Sequence, residues 1–350
     1  MHFAVNTLGR FAGFDEEDVY LKQLLLTMHE VQENARFTIL ADRQNFDEFP
    51  GWERILVGPD SETRGHPGDT ARSVEKAAKS VGADIVFSPL ATASLVGSYP
   101  CVPYVLDVDE IERQNLNAGR RGTPKFREYK KVCSRMRAIV APSEYMRKRL
   151  LEVLSVPINK CVVVYPGADR SFEEHQRSLT EPPFLVAGGD LGPNGNMLSL
   201  RTAYRKVADD FPHNLVVMGR PTEDEPEDWG PRVMRVHQCP ANVRAGLYQH
   251  STAFISTSLN EGASVTLLEA IRAGVRPVIA RMGGVEEIAG TVPIYYNRES
   301  EASLTAAIRR VLQETDAERK SGINFGKQRI AEFTWDKSAW KALRAFKREA

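Results

Sequence analysis

Residues Asn260 to Glu287 run NEGASVTLLEAIRAGVRPVIARMGGVEE. An apolar run, Ala253–Ser256, precedes them and predicts a strand, and Ser258 to Gly262 form a polar turn. Val265, Leu268 and Ile271 recur at helical spacing, which predicts a helix that Gly274 stops. Pro277-Val-Ile-Ala280 predicts a short buried strand, and Gly283-Gly284 a tight turn before Val285. Glu261 and Glu269 are eight residues apart, a little over two helical turns, so both look to one side. The helix N-terminus at Gly262–Thr266 offers free backbone N–H groups and a positive dipole end, which suits a phosphate or a sugar hydroxyl. Taken alone, two glutamates at this spacing are what a solvated surface helix carries; their surroundings separate the two readings.

Those surroundings alternate strands with helices, the pattern of parallel sheets covered on both faces. His2–Asn6 reads as a first strand, Thr7–Phe11 as a glycine-bearing turn and Val19–Glu30 as an amphipathic helix. Strands follow at Phe37–Leu40, Arg54–Val57 and Ile85–Ser88, with a polar loop at Pro59–Gly68 and a helix at Arg72–Val81. Pro103–Glu110 reads as a strand ending in carboxylates. Ligands of such sheets gather at carboxyl ends of strands, which makes Asp107, Asp109 and Glu110 site candidates. Asp107-Val-Asp109 is also a D-x-D triplet, a short pattern that can hold a divalent cation; nothing else in the chain supports a metal site. Ala138–Glu144 reads as a strand leading to a helix capped at Ser143. In the second half, Phe184–Gly188 is a strand, Gly188–Asn196 a Gly-rich loop able to cradle phosphate, and Met197–Ala208 a helix. Leu215–Arg220 and Val233–Val236 are further strands, and Val243, Leu247 and Tyr248 mark a helix. His237 reads as a structural residue.

The spaced pattern Glu261…Glu269, Ala270, Gly274, Pro277-Val278-Ile279-Ala280, Gly283-Gly284 and Glu287 resembles the signature of GT4-type glycosyltransferases, retaining enzymes of the GT-B fold. The resemblance runs over nearly the whole chain. It takes in Ala138–Asp169, with its Pro166-Gly167-Ala168-Asp169 boundary, and the Phe333-Thr-Trp-Asp336 tail. It implies two doubly wound Rossmann-like α/β domains, residues 1–168 and 169–334, with a cleft between them. A terminal helix, 335–350, crosses back to the first. It implies retaining, metal-independent transfer from a nucleotide-sugar, with no cofactor. Glu261 and Gly262, Ala263, Ser264 and Val265 would take the donor sugar, and Glu269 the ribose. Gly9 would lie near the diphosphate, Arg10 at the cleft, and Gly219 and Arg220 close to the nucleotide. Three departures stand out. The usual E-G-F-G reads Glu261-Gly262-Ala263-Ser264. Asp109 replaces the histidine that borders the anomeric centre, with Asp107 and Glu110 beside it on the acceptor side. In the phosphate loop, Gly189 and Asn196 align, but Asp190 stands for the usual Arg and Gly195 for the usual Lys. Two cations that would stabilise a leaving diphosphate are thereby lost, a change worth about 3 kcal/mol or more for each such contact. That loss keeps open a non-catalytic subunit that binds a sugar nucleotide or a partner enzyme.

Composition sets the remaining bounds. At 350 residues the chain is long enough for two domains with real cores. Its 46 basic and 46 acidic side chains cancel, so no global charge favours nucleic acid or membrane. The four cysteines are scattered, which predicts reduced thiols of a cytoplasmic protein rather than a disulfide frame or zinc site. Neither a signal-peptide pattern nor a membrane-span-length apolar run is present. One stretch is locally basic. Arg113 to Arg149 carries twelve lysines and arginines, with Phe126 and Tyr129 interleaved. It reads as a solvated helix face, as an anionic surface contact that would put the protein at a membrane periphery, or as a seat for a nucleic-acid acceptor like that of phage-type DNA glycosyltransferases. The acceptor is thus a glycan, a lipid, a small molecule or a nucleic acid.

Overall fold

The computed structural model describes residues 1–10, 16–57, 67–90, 93, 99–116, 123–188, 195–219, 226, 228–237 and 239–349. The chain divides into two units. The first holds Met1–Ala12, Leu21–Tyr165 and Asp336–Ala350; the second holds Gly13–Tyr20 and Pro166–Trp335.

The first unit is built on seven strands: β1 (His2–Asn6), β2 (Arg36–Ala41), β3 (Glu53–Leu56), β4 (Ile85–Pro89), β5 (Cys101–Tyr104), β6 (Ile139–Ala141) and β7 (Cys161–Val163). Their order is β3-β2-β1-β4-β5-β6-β7 and every pairing is parallel. β1, β4 and β5 are buried along their whole length, as strands covered on both faces must be. Helix α1 (Glu16–Val31) opens three residues ahead of the sequence expectation, because Glu16, Glu17 and Asp18 suit its positive end. Helix α2 (Pro67–Ser80) likewise starts early, on a proline favoured in a first turn. The remaining helices are α3 (Asp109–Leu116), α4 (Pro124–Arg135) and α5 (Glu144–Leu154). Ser143 caps α5 by accepting from Met146 N at 3.0 Å. The strand order reverses between β1 and β4, where Asn6 Nδ2 donates to Ser88 Oγ at 2.9 Å.

One sequence expectation fails here. The Pro103–Glu110 run is not one strand: β5 ends at Tyr104 and α3 begins at Asp109. The Asp107 carboxylate accepts from Asp109 N at 2.7 Å, an Asx turn that leads the chain into a helix. The carboxylates therefore sit at a helix start, not on a strand end.

The second unit carries six parallel strands: β8 (Phe184–Ala187), β9 (Asn214–Met218), β10 (Val233–Val236), β11 (Ala253–Ser256), β12 (Arg276–Ala280) and β13 (Ile294–Tyr296). Their order is β10-β9-β8-β11-β12-β13, so the reversal falls between β8 and β11. Around them lie α6 (Met197–Ala208), α7 (Ala241–His250), α8 (Val265–Ala273), α9 (Gly283–Ala289), α10 (Glu301–Leu312) and α11 (Asp316–Ile330). Gly274 ends α8 at φ +88°, a left-handed cap that glycine adopts without strain. The Gly283-Gly284 pair is not the expected turn but the first residues of α9. Glycine is needed at 284 for space. A Cβ there would fall 2.4 Å from Gly262 O and 2.5 Å from Glu261 O. The last helix, α12 (Trp335–Glu349), starts in the second unit and continues in the first. In the first unit Phe346 is fully buried and packs edge-on against Phe3 and Phe87, centroids 5.2 and 5.1 Å away.

Candidate functional site

In a doubly wound sheet the strand-order reversal leaves a crevice at the strand carboxyl ends. In the second unit that point is the end of β8 and β11, and polar side chains converge on it. Ser256, which ends β11, and Thr257 and Ser258 after it are all buried. Thr257 Oγ1 donates to Gly195 O at 2.6 Å, which fastens the loop before α6 to this spot. Asn196 follows in a left-handed conformation, φ 52°, and its Oδ1 accepts from Ser199 Oγ at 2.7 Å. Gly189 and Asp190 lie outside the described residues.

Ser256 Oγ donates to Glu261 Oε1 at 2.9 Å, so β11 orients the carboxylate that follows it. The Glu261–Gly262 backbone rests on Gly284 of α9, a contact only a residue without a side chain permits. Ser264 caps α8 and accepts from Leu267 N at 3.2 Å. Gly262, Ala263 and Val265 complete the turn into that helix.

Two residues that sequence reasoning missed complete the cluster. Glu16, also in the second unit, sets its carboxylate on the first turn of α8. Its Oε1 accepts from Thr266 N at 3.1 Å, from the Thr266 hydroxyl, and from Ser264 Oγ at 3.4 Å. Burial, and then the Glu261 charge, push this carboxyl up to about 8; Glu269 acts in the same direction. Three carboxyl groups thus share one site, and repulsion favours a proton on one of them. Only the acidic opening of α1 marks Glu16 in the sequence, and 250 residues separate it from Thr266.

Arg244 is the other. Glu269 is 3% exposed and Arg244 4%. Arg244 Nε and Nη2 donate to the two Glu269 oxygens at 2.9 and 2.6 Å, and Nη1 donates to Cys239 O at 2.8 Å. The signal was legible: Arg244 shares a helix face with Tyr248, four residues on. A cation on a buried face calls for a buried anion.

The other candidates stand elsewhere. Gly219 follows β9 at φ 138°, donates to Val236 O at 3.0 Å and has the Arg235 guanidinium against its carbonyl. Arg220 lies outside the described residues. In the first unit Gly9 sits at φ 73° in the turn after β1, and its N–H donates to Asp42 Oδ2 at 2.7 Å. Arg10 closes that turn through its N–H to Thr7 O. Asp107 is exposed and Asp109 partly buried. Burial, reinforced by the Asp107 carboxylate, pushes Asp109 up to about 6. Glu110 falls in the first turn of α3. No group of three or more potential metal ligands occurs among the described residues. In the basic stretch, Arg147 pairs with Glu144, and Arg149 with Glu112 and Glu152. Lys125 and Lys130 lie over the rings of Tyr129 and Phe126.

Residues 24–172 match the family model Glycosyltransferase Family 4, and residues 181–314 match Glycosyl transferases group 1. The chain belongs to the GT4-type glycosyltransferases. Solved structures place this glycosyltransferase in the GT-B fold. Sucrose-phosphate synthase (tll1590) from Thermosynechococcus elongatus superposes with a TM-score of 0.79 at 12% identity, covering 99% of this chain and 98% of its own. Anabaena Alr3699/HepE, solved with UDP and glucose, gives 0.77 at 15% identity over 99% and 100%. WaaG, a glycosyltransferase of lipopolysaccharide biosynthesis, gives 0.76 at 16% over 98% of each chain. No curated protein matches the glycosyltransferase by sequence. None of its described helices is long and apolar enough to cross a membrane.

Proposed function

We propose that this glycosyltransferase moves a sugar from a nucleoside-diphosphate donor to an acceptor hydroxyl, with retention and without a metal ion. The observation that carries the reading is the Ser256-held Glu261 beside the α8 N-terminus, at the strand-order reversal of the second sheet. Glu261 and the Gly262–Ser264 turn take the sugar hydroxyls, and Glu269 takes the ribose. The diphosphate lies against the Gly195–Asn196 turn and the first N–H groups of α8, a helix terminus that favours anionic charge. Its arrival exchanges Glu16 from Thr266 N. In the first unit Asp109 takes the acceptor hydroxyl, and its raised affinity for a proton suits a base working near neutrality. Retention and metal independence rest on the family resemblance of the Glu261–Glu287 pattern.

The test is a panel of UDP-, GDP-, ADP- and dTDP-sugars, with and without EDTA, read by thermal shift and slow donor hydrolysis. UDP-sugars come first, since UDP occupies the Anabaena neighbour. One nucleotide that shifts the melting temperature and is hydrolysed equally in EDTA supports the reading. EDTA-sensitive hydrolysis overturns metal independence. No shift with any donor overturns the donor site.

A further inference from the structure

We infer that Arg244 is the positioning residue of the nucleotide site, holding Glu269 in the one orientation that accepts both hydroxyls of a ribose. The inference rests on the reading of Glu269 as the ribose ligand. An ionised carboxylate offers about four acceptor sites, and a bidentate guanidinium takes one on each oxygen. The Arg244 contacts at 2.9 and 2.6 Å therefore leave one acceptor on each Glu269 oxygen, a spacing that matches the adjacent 2′- and 3′-hydroxyls. Arg244 is itself fixed from two more directions. Its third donor goes to Cys239 O, and the Phe172 ring lies 5.6 Å from the guanidinium carbon. Arg244 and Glu269 come from different helices, α7 and α8, so the pair sets Glu269 against a neighbouring element instead of leaving it to its own rotamer. Four residues along α7, the Tyr248 hydroxyl is buried with no hydrogen-bond partner among the described residues. This corner therefore still has unused hydrogen-bonding capacity. Lysine at 244 would keep the charge but could not bridge both oxygens, because an ammonium is a single point donor rather than a planar fork.

The experiment compares UDP, GDP and ADP with their 2′-deoxy counterparts by calorimetry on the parent protein, Glu269→Gln, Arg244→Lys, Arg244→Gln and the Arg244→Gln/Glu269→Gln pair. The parent is expected to prefer the ribonucleotide by about tenfold or more, the scale of a hydrogen bond to a charged group. Glu269→Gln abolishes the preference, and so does each Arg244 variant, while 2′-deoxynucleotide affinity stays unchanged. The double variant loses no more than Glu269→Gln alone. If Glu269→Gln abolishes the preference and Arg244→Lys retains it, Arg244 is only a structural partner and the inference fails. If Glu269→Gln retains the parent preference, or the parent shows none, the ribose assignment fails and the inference falls with it. Arg244→Lys keeps the test open should Arg244→Gln not fold.

Discussion

At the scale of single residues, the chemistry of the second unit depends on how acid is distributed. Glu16, Glu261 and Glu269 meet at α8, and Glu269 has an arginine bound to both its oxygens. Burial, and then the Glu261 charge, raise the Glu16 carboxyl from an ordinary 4.5 to about 8. The sign follows directly. Between those two values the folded protein binds a proton that the unfolded chain does not, so stability falls as pH rises through that window. The upper limit is about 1.4 kcal/mol per pH unit. Glu16→Gln removes the proton and keeps the shape. Its melting temperature is expected to vary less than the parent's between about pH 5 and pH 8; parallel curves for the two proteins would disprove the assignment. In the first unit, Asp109 at about 6 predicts that donor transfer declines as pH drops below that value, as the base takes up its proton. A pH–rate profile of Asp109→Asn should lack that acid limb. Glu16 was not legible as a site residue, because its partner Thr266 lies 250 residues away; the sequence shows Arg244 as a cation on a buried helix face but does not name the anion it meets. Glu261 and Glu269 stood out because they fall inside the longer Glu261–Glu287 pattern; their spacing alone is also that of a solvated helix face.

At the scale of elements, the glycines separate what a sequence reveals from what it conceals. Gly274 reads as a helix stop and is one, since a left-handed cap is a local property of the chain. Gly283-Gly284 reads the same way and is not a turn. Here glycine serves the close approach of α9 to the Glu261–Gly262 backbone, a tertiary demand that local spacing does not encode. The Asp107–Glu110 run misleads for a related reason. Apolar residues before it suggest a strand, but the Asp107 carboxylate accepts from Asp109 N, an Asx turn that leads the chain into the next helix. The close approach gives a prediction. Gly284→Ala forces a Cβ onto two carbonyl oxygens, and overpacking of this kind costs about 1–3 kcal/mol. Because the displaced backbone carries Glu261, sugar-nucleotide affinity should fall together with denaturant stability. Gly274→Ala strains only the cap and should lower stability while leaving affinity near the parent value. Equal effects of both substitutions on affinity would argue that Gly284 does not support the site.

At the scale of the whole molecule, alternating strands and helices made both parallel sheets readable, since strands buried on both faces must be continuously apolar. What the alternation left unsaid is that neither unit is one continuous stretch of chain. The first unit is completed by the last fifteen residues, Asp336–Ala350. Apolar periodicity marks α12 as amphipathic but cannot name the surface it covers. The rings that answer, Phe3 and Phe87, lie more than 250 residues earlier. Phe346 is therefore expected to hold the first unit specifically. Truncating a buried Phe to Ala costs about 3–5 kcal/mol through lost burial and the cavity left behind. A protein of two units need not unfold in one step, so a single melting temperature would blur this effect. Amide hydrogen exchange resolves it. Phe346→Ala should accelerate exchange in β1 and β4, which pair beneath Phe346, and leave β8 and β11 at the parent rate. Acceleration in both sheets together would mean that the units open as one. The Phe346 loss would then be a property of the molecule, not of its first sheet.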